Sequence, residues 1–158
     1  LKIEGRMKSL HYIATVVGTY RKLIDDYIRD GKIDDFSIYE NEIAKAENRQ
    51  ASHGFFAGMP GIEQQLYNQR SEQPTQTFIG LIQSYDPNTH EAIIEQRNYF
   101  ECGDQIEIFQ PSGKKDIFTL ESMVDLEGVE TPIARHPKQI LKINIPFAVE
   151  PYAMMRKV

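Results

Sequence analysis

The spacing of apolar residues changes part-way along the chain, and this change constrains the fold more than any other feature of the sequence. From Met7 to Ile28 they recur every three or four residues, which is typical of an amphipathic helix. After residue 76 they alternate with polar residues, as in a β-strand with one buried face. The polar segment between them, NQRSEQPTQ, is typical of a linker. The sequence therefore predicts two domains, residues 1–75 and residues 76–158.

The first domain is predicted to be helical. One long helix is expected from Met7 to Ile28, with Ser9 or the Gly5 turn at its start and Gly31 at its end. Its predicted buried stripe consists of Leu10, Ile13, Val17, Tyr20, Ile24, Tyr27 and Ile28, with Val16 and Leu23 beside it. A short helix is predicted at 38–47, where Ser37 and Glu40 have the spacing of a capping box.

The second domain is predicted to be a small antiparallel β-barrel of five or six strands. The predicted strands are 77–85, 91–98, 104–110, 116–123, 139–145 and 152–157, with turn sequences such as DPNT and PSGKK between them. Closure of the barrel would remove the exposed edges that a flat sheet leaves. The expected fold class is mainly β (α+β), with one long and one short helix before the barrel.

Composition limits the compartment and the ligands. The chain has 158 residues, 41% of them hydrophobic, but no apolar run near the ~18 residues of a membrane span. The single cysteine, Cys102, excludes an internal disulfide and a four-cysteine metal site. We therefore expect a cytoplasmic protein with no membrane partner. The net charge of −5 means that any RNA contact would have to be a local patch.

Basic residues of the second domain are the candidates for such a patch. If they converge on one face, they would contact a phosphate backbone, and charge reversal at Lys114/Lys115 or Arg156/Lys157 would weaken binding. The alternative is a mixed, soluble surface. The set comprises Arg97, Lys114, Lys115, Arg135, Lys138, Lys142, Arg156 and Lys157.

Two adjacent aromatic residues, Phe55 and Phe56, are further candidates for substrate binding. They could stack on the bases of single-stranded RNA, with Arg49 nearby and glycines that let a ligand approach the backbone. The sequence favours the alternative, in which both rings anchor the helical arm against the barrel.

The histidines and the cysteine do not predict a metal or catalytic site. The four histidines, His11, His53, His90 and His136, lack the spacing of metal ligands, so structural or surface roles are favoured. Cys102 precedes the Gly103-Asp104 turn, and we interpret it as a barrel residue.

The N-terminal sequence LKIEGRM has two interpretations. Ile-Glu-Gly-Arg at 3–6 is the recognition site of a protease that removes expression tags, which favours a tag remnant or a solvated terminus. Alternatively, Arg6 lies at the end of a barrel strand and binds a carboxylate or phosphate, and Glu4 orients it.

Six separated blocks of the sequence occur in the order found in one known family. They are LKIEGRMKSLHYIATVVGTYRKLIDDY, GFFAG, GLIQSYD, QRNYFECGDQIEIFQP, ARHPKQI and MMRK. Over nearly its whole length the chain resembles the C-terminal part of peptidase family U32, the collagenase-like proteases of bacteria. The resemblance implies a preceding TIM-like catalytic domain, to whose active site Glu4, Arg6 and Lys8 would contribute. It also implies that the chain is a C-terminal fragment.

Family members similar in these blocks act in tRNA hydroxylation. The resemblance therefore implies modification of a wobble uridine, with prephenate and an iron–sulfur cluster held by cysteines of the N-terminal domain. Cys102 lies outside any such pattern, so this chain is expected to hold no cofactor and to be inactive by itself.

These observations lead to one function and two alternatives. The leading hypothesis is that the chain positions substrate, tRNA, for its own N-terminal catalytic domain. The first alternative is recognition of a polypeptide or collagen-like substrate by a protease, and the second is a purely structural or oligomerisation role. The sequence leaves the oligomeric state open.

Overall fold

The structure is a computed structural model that describes residues 2–46, 54–56, 58–62 and 77–158. The chain divides into two compact units, residues 1–75 and residues 76–158. The described elements of the first unit are helices, and those of the second are β-strands. Neither described helix is both long enough and apolar enough to cross a bilayer.

The long helix α1 spans Leu10–Asp30. It begins after Ser9, whose Oγ accepts a hydrogen bond from the backbone N–H of Tyr12 at 3.1 Å. It ends at Gly31, which has φ 73° and donates its N–H to the carbonyl of Tyr27 at 2.8 Å. Both boundary residues confirm the sequence prediction, because helix caps depend on local chemistry.

The apolar stripe of α1 faces outward, so the prediction that it is buried is wrong. Leu10 is 56% exposed, Val17 45% and Ile28 72%, and the exposed part of the stripe also includes Ile13, Ile24 and Tyr27. The buried residues lie on the other side of the helix and are mostly polar: His11, Thr15, Val16, Thr19 and Asp26. Periodicity identified the stripe correctly, but it carries no information on which side is covered.

The short helix α2 spans Ser37–Ala44 and is not capped as predicted. The carboxylate of Asp35 accepts hydrogen bonds from the backbone N–H of Ser37 at 2.8 Å and from its hydroxyl at 2.9 Å. Phe36 occupies the N-cap position without a side-chain bond. The predicted capping box is therefore wrong, because the acidic residue before the helix binds the serine instead.

A buried polar contact joins the two helices. The buried Tyr39 of α2 donates its hydroxyl to Asp26 of α1 at 2.6 Å. Asp26 also pairs with Lys22 at 2.6 Å and with Arg29 at 3.0 Å. These donors, Lys22 first and Tyr39 next, lower the pKa of Asp26 from 3.8 to about 2.

Within residues 77–158 the structure describes nine strands of the second unit. Seven form one curled antiparallel sheet, a half-barrel, in the order β5-β4-β9-β1-β2-β8-β6, while β3 and β7 form a separate ladder. The strands are β1 (Thr77–Tyr85), β2 (Glu91–Gln96), β3 (Phe100–Glu101), β4 (Gln105–Phe109), β5 (Lys115–Thr119), β6 (Met123–Val124), β7 (Ile133–Ala134), β8 (Ile140–Asn144) and β9 (Met154–Lys157). The mainly β class with two helices is confirmed, although the predicted number of strands was too low.

The strands that the sequence did not predict are short. β3, β6 and β7 contain two residues each, which is too few for alternation to be recognised. The predicted strand 116–123 is interrupted at the buried Leu120, which donates its N–H to the carbonyl of Asp104 at 3.0 Å. β1, β2, β4, β8 and β9 agree with their predicted ranges to within two residues at either end.

The core of the second unit consists of aliphatic side chains from the sheet, among them the fully buried Ile94, Ile106 and Leu141. β1 crosses this core and pairs with both β2 and β9, with a register shift on each side. Gly80 lies where the backbones of β1 and β2 are close together, and a Cβ atom at this position would be 3.2 Å from the carbonyl oxygen of Glu95. Within residues 77–158 no ladder joins β5 to β6, so the curled sheet stays open there.

The register of the strands defines two ends of the sheet. Thr77 pairs with Lys157, and Lys157 pairs with Ile106, so the start of β1, the end of β9 and the start of β4 lie together. The end of β2 is also here, because Gln96 pairs with Gly80. We name this the Tyr99 end.

The opposite end is defined by Phe109, which pairs with both Lys115 and Met154. The end of β4 and the starts of β5 and β9 therefore lie together. We name this the Tyr152 end, after the exposed residue two positions before β9.

Candidate nucleic-acid interface

The basic residues singled out in the sequence do not converge on one surface. Arg97 and Lys157 lie at the Tyr99 end, whereas Lys114 and Lys115 lie at the Tyr152 end. Lys142 lies in β8. Four of the candidates therefore form two groups at opposite ends of the sheet.

Arg156 belongs to neither group because it is buried. Its exposed fraction is 0%, and its guanidinium forms an ion pair with the carboxylate of Glu107. The same guanidinium lies 4.2 Å from the centroid of the Phe109 ring. Arg156 is thus part of the packing between β4 and β9, and its burial is not compatible with the predicted contact to substrate.

The group at the Tyr152 end is partly neutralised. The ammonium group of Lys114 lies 2.9 Å from the carboxylate of Asp116 and 5.8 Å from the centroid of the Phe147 ring. Lys115 is exposed at the start of β5. A phosphate that approached Lys114 would compete with a carboxylate already in place.

At the Tyr99 end, two segments far apart in sequence run side by side. The backbone N–H of Gln96 donates to the carbonyl of Gln139 at 2.9 Å, and that of Lys138 donates to the carbonyl of Gln96 at 3.2 Å. Further along, Phe100 pairs with Ala134. Residues 97–99 therefore face residues 135–138, which sequence spacing alone did not indicate.

This pairing brings basic residues and an aromatic residue onto neighbouring segments. We name this group the Tyr99 patch, and it consists of Arg97, Tyr99, Arg135, Lys138 and Lys157. Arg97, Arg135 and Lys138 are exposed, and Lys157 is half-buried. Tyr99 was not singled out from the sequence, where the only signal was its place in the polar run before a buried strand residue.

The four cations of the Tyr99 patch differ in their partners. Arg97 pairs with Glu95 at 2.7 Å, and Lys157 pairs with Asp104 at 2.6 Å. Within the described part of the chain, Arg135 and Lys138 form no ion pair. They are therefore the cations of the patch that are free to contact a phosphate. Lys138 has φ 60°, the left-handed region that glycine normally occupies.

The phenol of Tyr99 is held by an acid. Its hydroxyl donates to Oε2 of Glu101 at 2.8 Å. This hydrogen bond, with a smaller contribution from burial, raises the pKa of Tyr99 above its ordinary value of 10.0. Lys157 places its ammonium group 6.0 Å from the centroid of the same ring.

The aromatic pair in the first unit is exposed. Phe55 is 74% exposed and Phe56 is 93% exposed, and the predicted anchoring of the helical arm against the barrel stays a prediction. Arg49 lies outside the described residues. The rings are accessible to a ligand, but no described basic residue contacts them to complete the predicted site.

The predicted active-site role of Glu4, Arg6 and Lys8 concerns the longer protein and stays a prediction. Among the described residues, Glu4 pairs with Lys2 at 3.0 Å. Lys8 donates its backbone N–H to the carbonyl of Gly5 at 2.9 Å, and its ammonium group lies 4.8 Å from the centroid of the Tyr12 ring. Glu4, Arg6 and Lys8 are all exposed.

The described histidines and Cys102 each have different surroundings. His11 is buried in α1, Nδ1 of His90 is 2.9 Å from the hydroxyl of Tyr85, and His136 is exposed. His53 lies outside the described residues. In the ranges that the structure describes, no three His, Cys, Asp or Glu side chains gather to hold a metal ion. The half-buried Cys102 supplies one thiolate, which does not fit the ligand set of an iron–sulfur cluster.

Two family models match the sequence. The Peptidase family U32 C-terminal domain matches residues 74–156, more than half of the chain, and Peptidase family U32 matches residues 1–66. The chain belongs to peptidase family U32. A crystal structure of the C-terminal domain of a U32 peptidase from Geobacillus thermoleovorans has 42% sequence identity and a TM-score of 0.50, over 51% of this chain and 91% of that chain.

This U32 chain is also similar to proteins named for a reaction on tRNA. It is 42% identical over 160 residues to tRNA hydroxylation protein P1 of Bacillus subtilis (strain 168), which covers 99% of this chain and 37% of that protein. It is 32% identical over 159 residues to tRNA hydroxylation protein P of Escherichia coli (strain K12), which covers 99% and 34%. The chain therefore spans about a third of the length of the curated relatives it matches.

Proposed function

We propose that this chain is the C-terminal part of a U32 tRNA hydroxylation protein and that its β unit positions tRNA through the Tyr99 patch. The observation that carries the proposal is the 42% identity over 99% of the chain to a tRNA hydroxylation protein. The patch adds a physical basis. Arg135 and Lys138 are exposed cations without a described carboxylate partner, on a segment that runs beside the one that carries Tyr99.

The chemistry of hydroxylation would belong to a domain outside this chain. The apolar stripe of α1 supports this division, because Leu10, Val17 and Ile28 are exposed on one side of the helix. The relatives are about three times as long, and the U32 family model covers residues 1–66. In the proposal the stripe packs against the preceding residues of the longer protein. An iron–sulfur cluster and prephenate would be bound there, and the whole protein would act in the cytoplasm.

The test is binding of tRNA to the chain, measured by fluorescence anisotropy at several salt concentrations. The double variant Arg135→Glu/Lys138→Glu is expected to weaken binding about tenfold or more and to make the salt dependence shallower by about one to two in log–log slope. The reason is that two phosphate contacts are replaced by repulsion.

The matched control is Lys114→Glu/Lys115→Glu, which changes the net charge equally at the Tyr152 end. It is expected to bind tRNA within about twofold of the unchanged chain, because a surface more than a Debye length away contributes little. Equal losses in both double variants would mean that overall charge, and not the patch, governs binding. No binding by the unchanged chain at low salt, when the full-length protein binds, would refute the proposal.

A second candidate, recognition of polypeptide, is favoured by one observation. Phe55 and Phe56 are the kind of exposed aromatic pair that lines a peptide-binding surface. Binding of denatured collagen by this chain, lost in Phe55→Ala/Phe56→Ala and retained in the Arg135→Glu/Lys138→Glu variant, would support it over tRNA. Peptide cleavage would have to be measured on the full-length protein, with contaminating proteases excluded.

A further inference from the structure

The ring of Tyr99 is exposed and yet held in one orientation. Its hydroxyl donates to Glu101 at 2.8 Å, and the backbone N–H of Glu101 donates to Oδ2 of Asp104 at 2.9 Å. The other oxygen of Asp104 accepts from Lys157 at 2.6 Å, and the ammonium group of Lys157 returns to the ring at 6.0 Å. These contacts form a closed circuit, so a ligand that binds the ring need not order it first.

The balance of charge around this ring is nearly even. The patch has four cations and three carboxylates, which leaves a net charge of about +1. The cations are Arg97, Arg135, Lys138 and Lys157. The carboxylates are Glu95, Glu101 and Asp104, each bound to a residue of the patch. A surface that follows the phosphates of a duplex needs a larger excess of positive charge. Stacking on a ring face supplies binding energy that does not depend on this excess.

We infer that the ring of Tyr99 stacks on an unpaired base of RNA, while Arg135 and Lys138 contact the phosphates beside that base. This inference rests on the proposed function and specifies which part of an RNA the patch binds, namely a single-stranded loop and not a duplex. Single-stranded RNA offers splayed bases to aromatic side chains, whereas the bases of a duplex are already stacked on each other. Contact through the ring face tolerates different bases, because every base has such a face.

The test compares two probes: an RNA hairpin with an unpaired loop and a fully paired RNA duplex of the same length. Tyr99→Ala is expected to weaken binding of the hairpin about fivefold or more, while Tyr99→Phe keeps the ring face and most of the affinity. Tyr152→Ala is the matched control, because it removes another exposed tyrosine at the opposite end of the sheet. Thermal unfolding of each variant excludes a loss of fold as the cause.

A spectroscopic readout follows from the composition of the chain. It contains no tryptophan, so Tyr99→Trp introduces a single indole at the proposed contact. Addition of the hairpin is expected to quench its emission strongly, because a base stacks directly on the indole, and the duplex is expected to quench it little. Tyr152→Trp should respond weakly to both probes.

The outcomes separate this inference from the proposed function. If the unchanged chain binds neither tRNA nor the hairpin, the proposed function fails. If the chain binds the hairpin but Tyr99→Ala and Tyr152→Ala bind equally well, stacking on Tyr99 is refuted while tRNA binding stands. Equal affinity for hairpin and duplex would also refute it. If Tyr99→Ala loses binding of denatured collagen but keeps binding of the hairpin, the ring binds a polypeptide and not RNA.

Discussion

At the scale of single residues, Asp26 makes the helical unit sensitive to acid. Its pKa is lowered from 3.8 to about 2 because Lys22 and Tyr39 donate to the carboxylate in the folded state. A carboxyl group with a lowered folded pKa contributes stability that is fully present above about pH 4 and is lost as the pH falls toward 2. We therefore expect α1 and α2 to lose helicity between about pH 4 and pH 2, as measured by far-ultraviolet circular dichroism.

The control for this prediction is Asp26→Asn. It keeps the size of the side chain but removes the titrating group, so its stability should lie below that of the unchanged chain at neutral pH. It should also vary less between about pH 4 and pH 2. An acid transition of the same size in both proteins would show that other carboxyl groups cause it.

Other residues illustrate what a sequence can and cannot predict. Ser9 and Gly31 were correctly predicted as helix boundaries, because their roles depend on neighbours a few positions away. Arg156 was predicted to contact substrate, but its side chain is buried and pairs with Glu107 of another strand. Glu107 lies 49 positions before Arg156 in the sequence, so no local pattern connects the two residues.

At the scale of elements, α1 offers a comparison between adjacent valines. Val16 is 5% exposed and Val17 is 45% exposed. We expect Val16→Asp to lower the free energy of unfolding by about 3 kcal/mol or more, because it places a charge in a buried position. Val17→Asp should change it by about 0.5 kcal/mol or less in this chain. Denaturant unfolding followed by circular dichroism measures both.

The same pair tests whether the stripe has a partner in the longer protein. In the longer protein, Val17→Asp is expected to lower the free energy of unfolding, because the proposed packing of the stripe would bury the new carboxylate. If Val17→Asp destabilises this chain as much as Val16→Asp, the stripe is already covered here. If it is neutral in both proteins, the stripe has no partner.

Elements were predictable where they are long enough to repeat a pattern. β1, with nine residues, matched its predicted range, and the buried positions of β2, Ile94 among them, follow the expected alternation, whereas the register shifts in β1 place its buried isoleucines, Ile79 and Ile82, three positions apart. The two-residue ladder of Phe100–Glu101 with Ile133–Ala134 was missed, although it brings the two halves of the Tyr99 patch together. Such a ladder depends on tertiary contact and leaves no periodicity in the sequence.

At the scale of the whole molecule, the second unit has a core of its own. Its buried apolar cluster is drawn entirely from residues 79–155. We therefore expect residues 76–158, produced alone, to unfold in one cooperative thermal transition and to bind tRNA within a few-fold of the whole chain. Calorimetry and anisotropy measure the two quantities.

Two results would contradict this prediction. A non-cooperative transition would mean that the second unit needs the first for its fold. Cooperative unfolding together with loss of tRNA binding would place essential RNA contacts in residues 1–75, where Phe55 and Phe56 are exposed.

The family was predictable for the whole molecule because separated sequence blocks carry it, and both family models confirm it. The candidate site was only partly predictable. The sequence identified four basic residues as candidates, namely Arg97, Lys114, Lys115 and Lys157. It did not show that they lie at opposite ends of the sheet. Their placement depends on strand order, in which β9 inserts between β4 and β1.

The backbone of Lys138 brings stability and function into opposition. At φ 60° glycine would be less strained than lysine, so selection for folding alone would favour glycine at this position. The lysine there adds a positive charge to the proposed RNA-binding surface at the expense of a more relaxed loop. Engineering for heat resistance would be drawn to this position early, and each gain made there would remove a cation from the proposed RNA-binding surface.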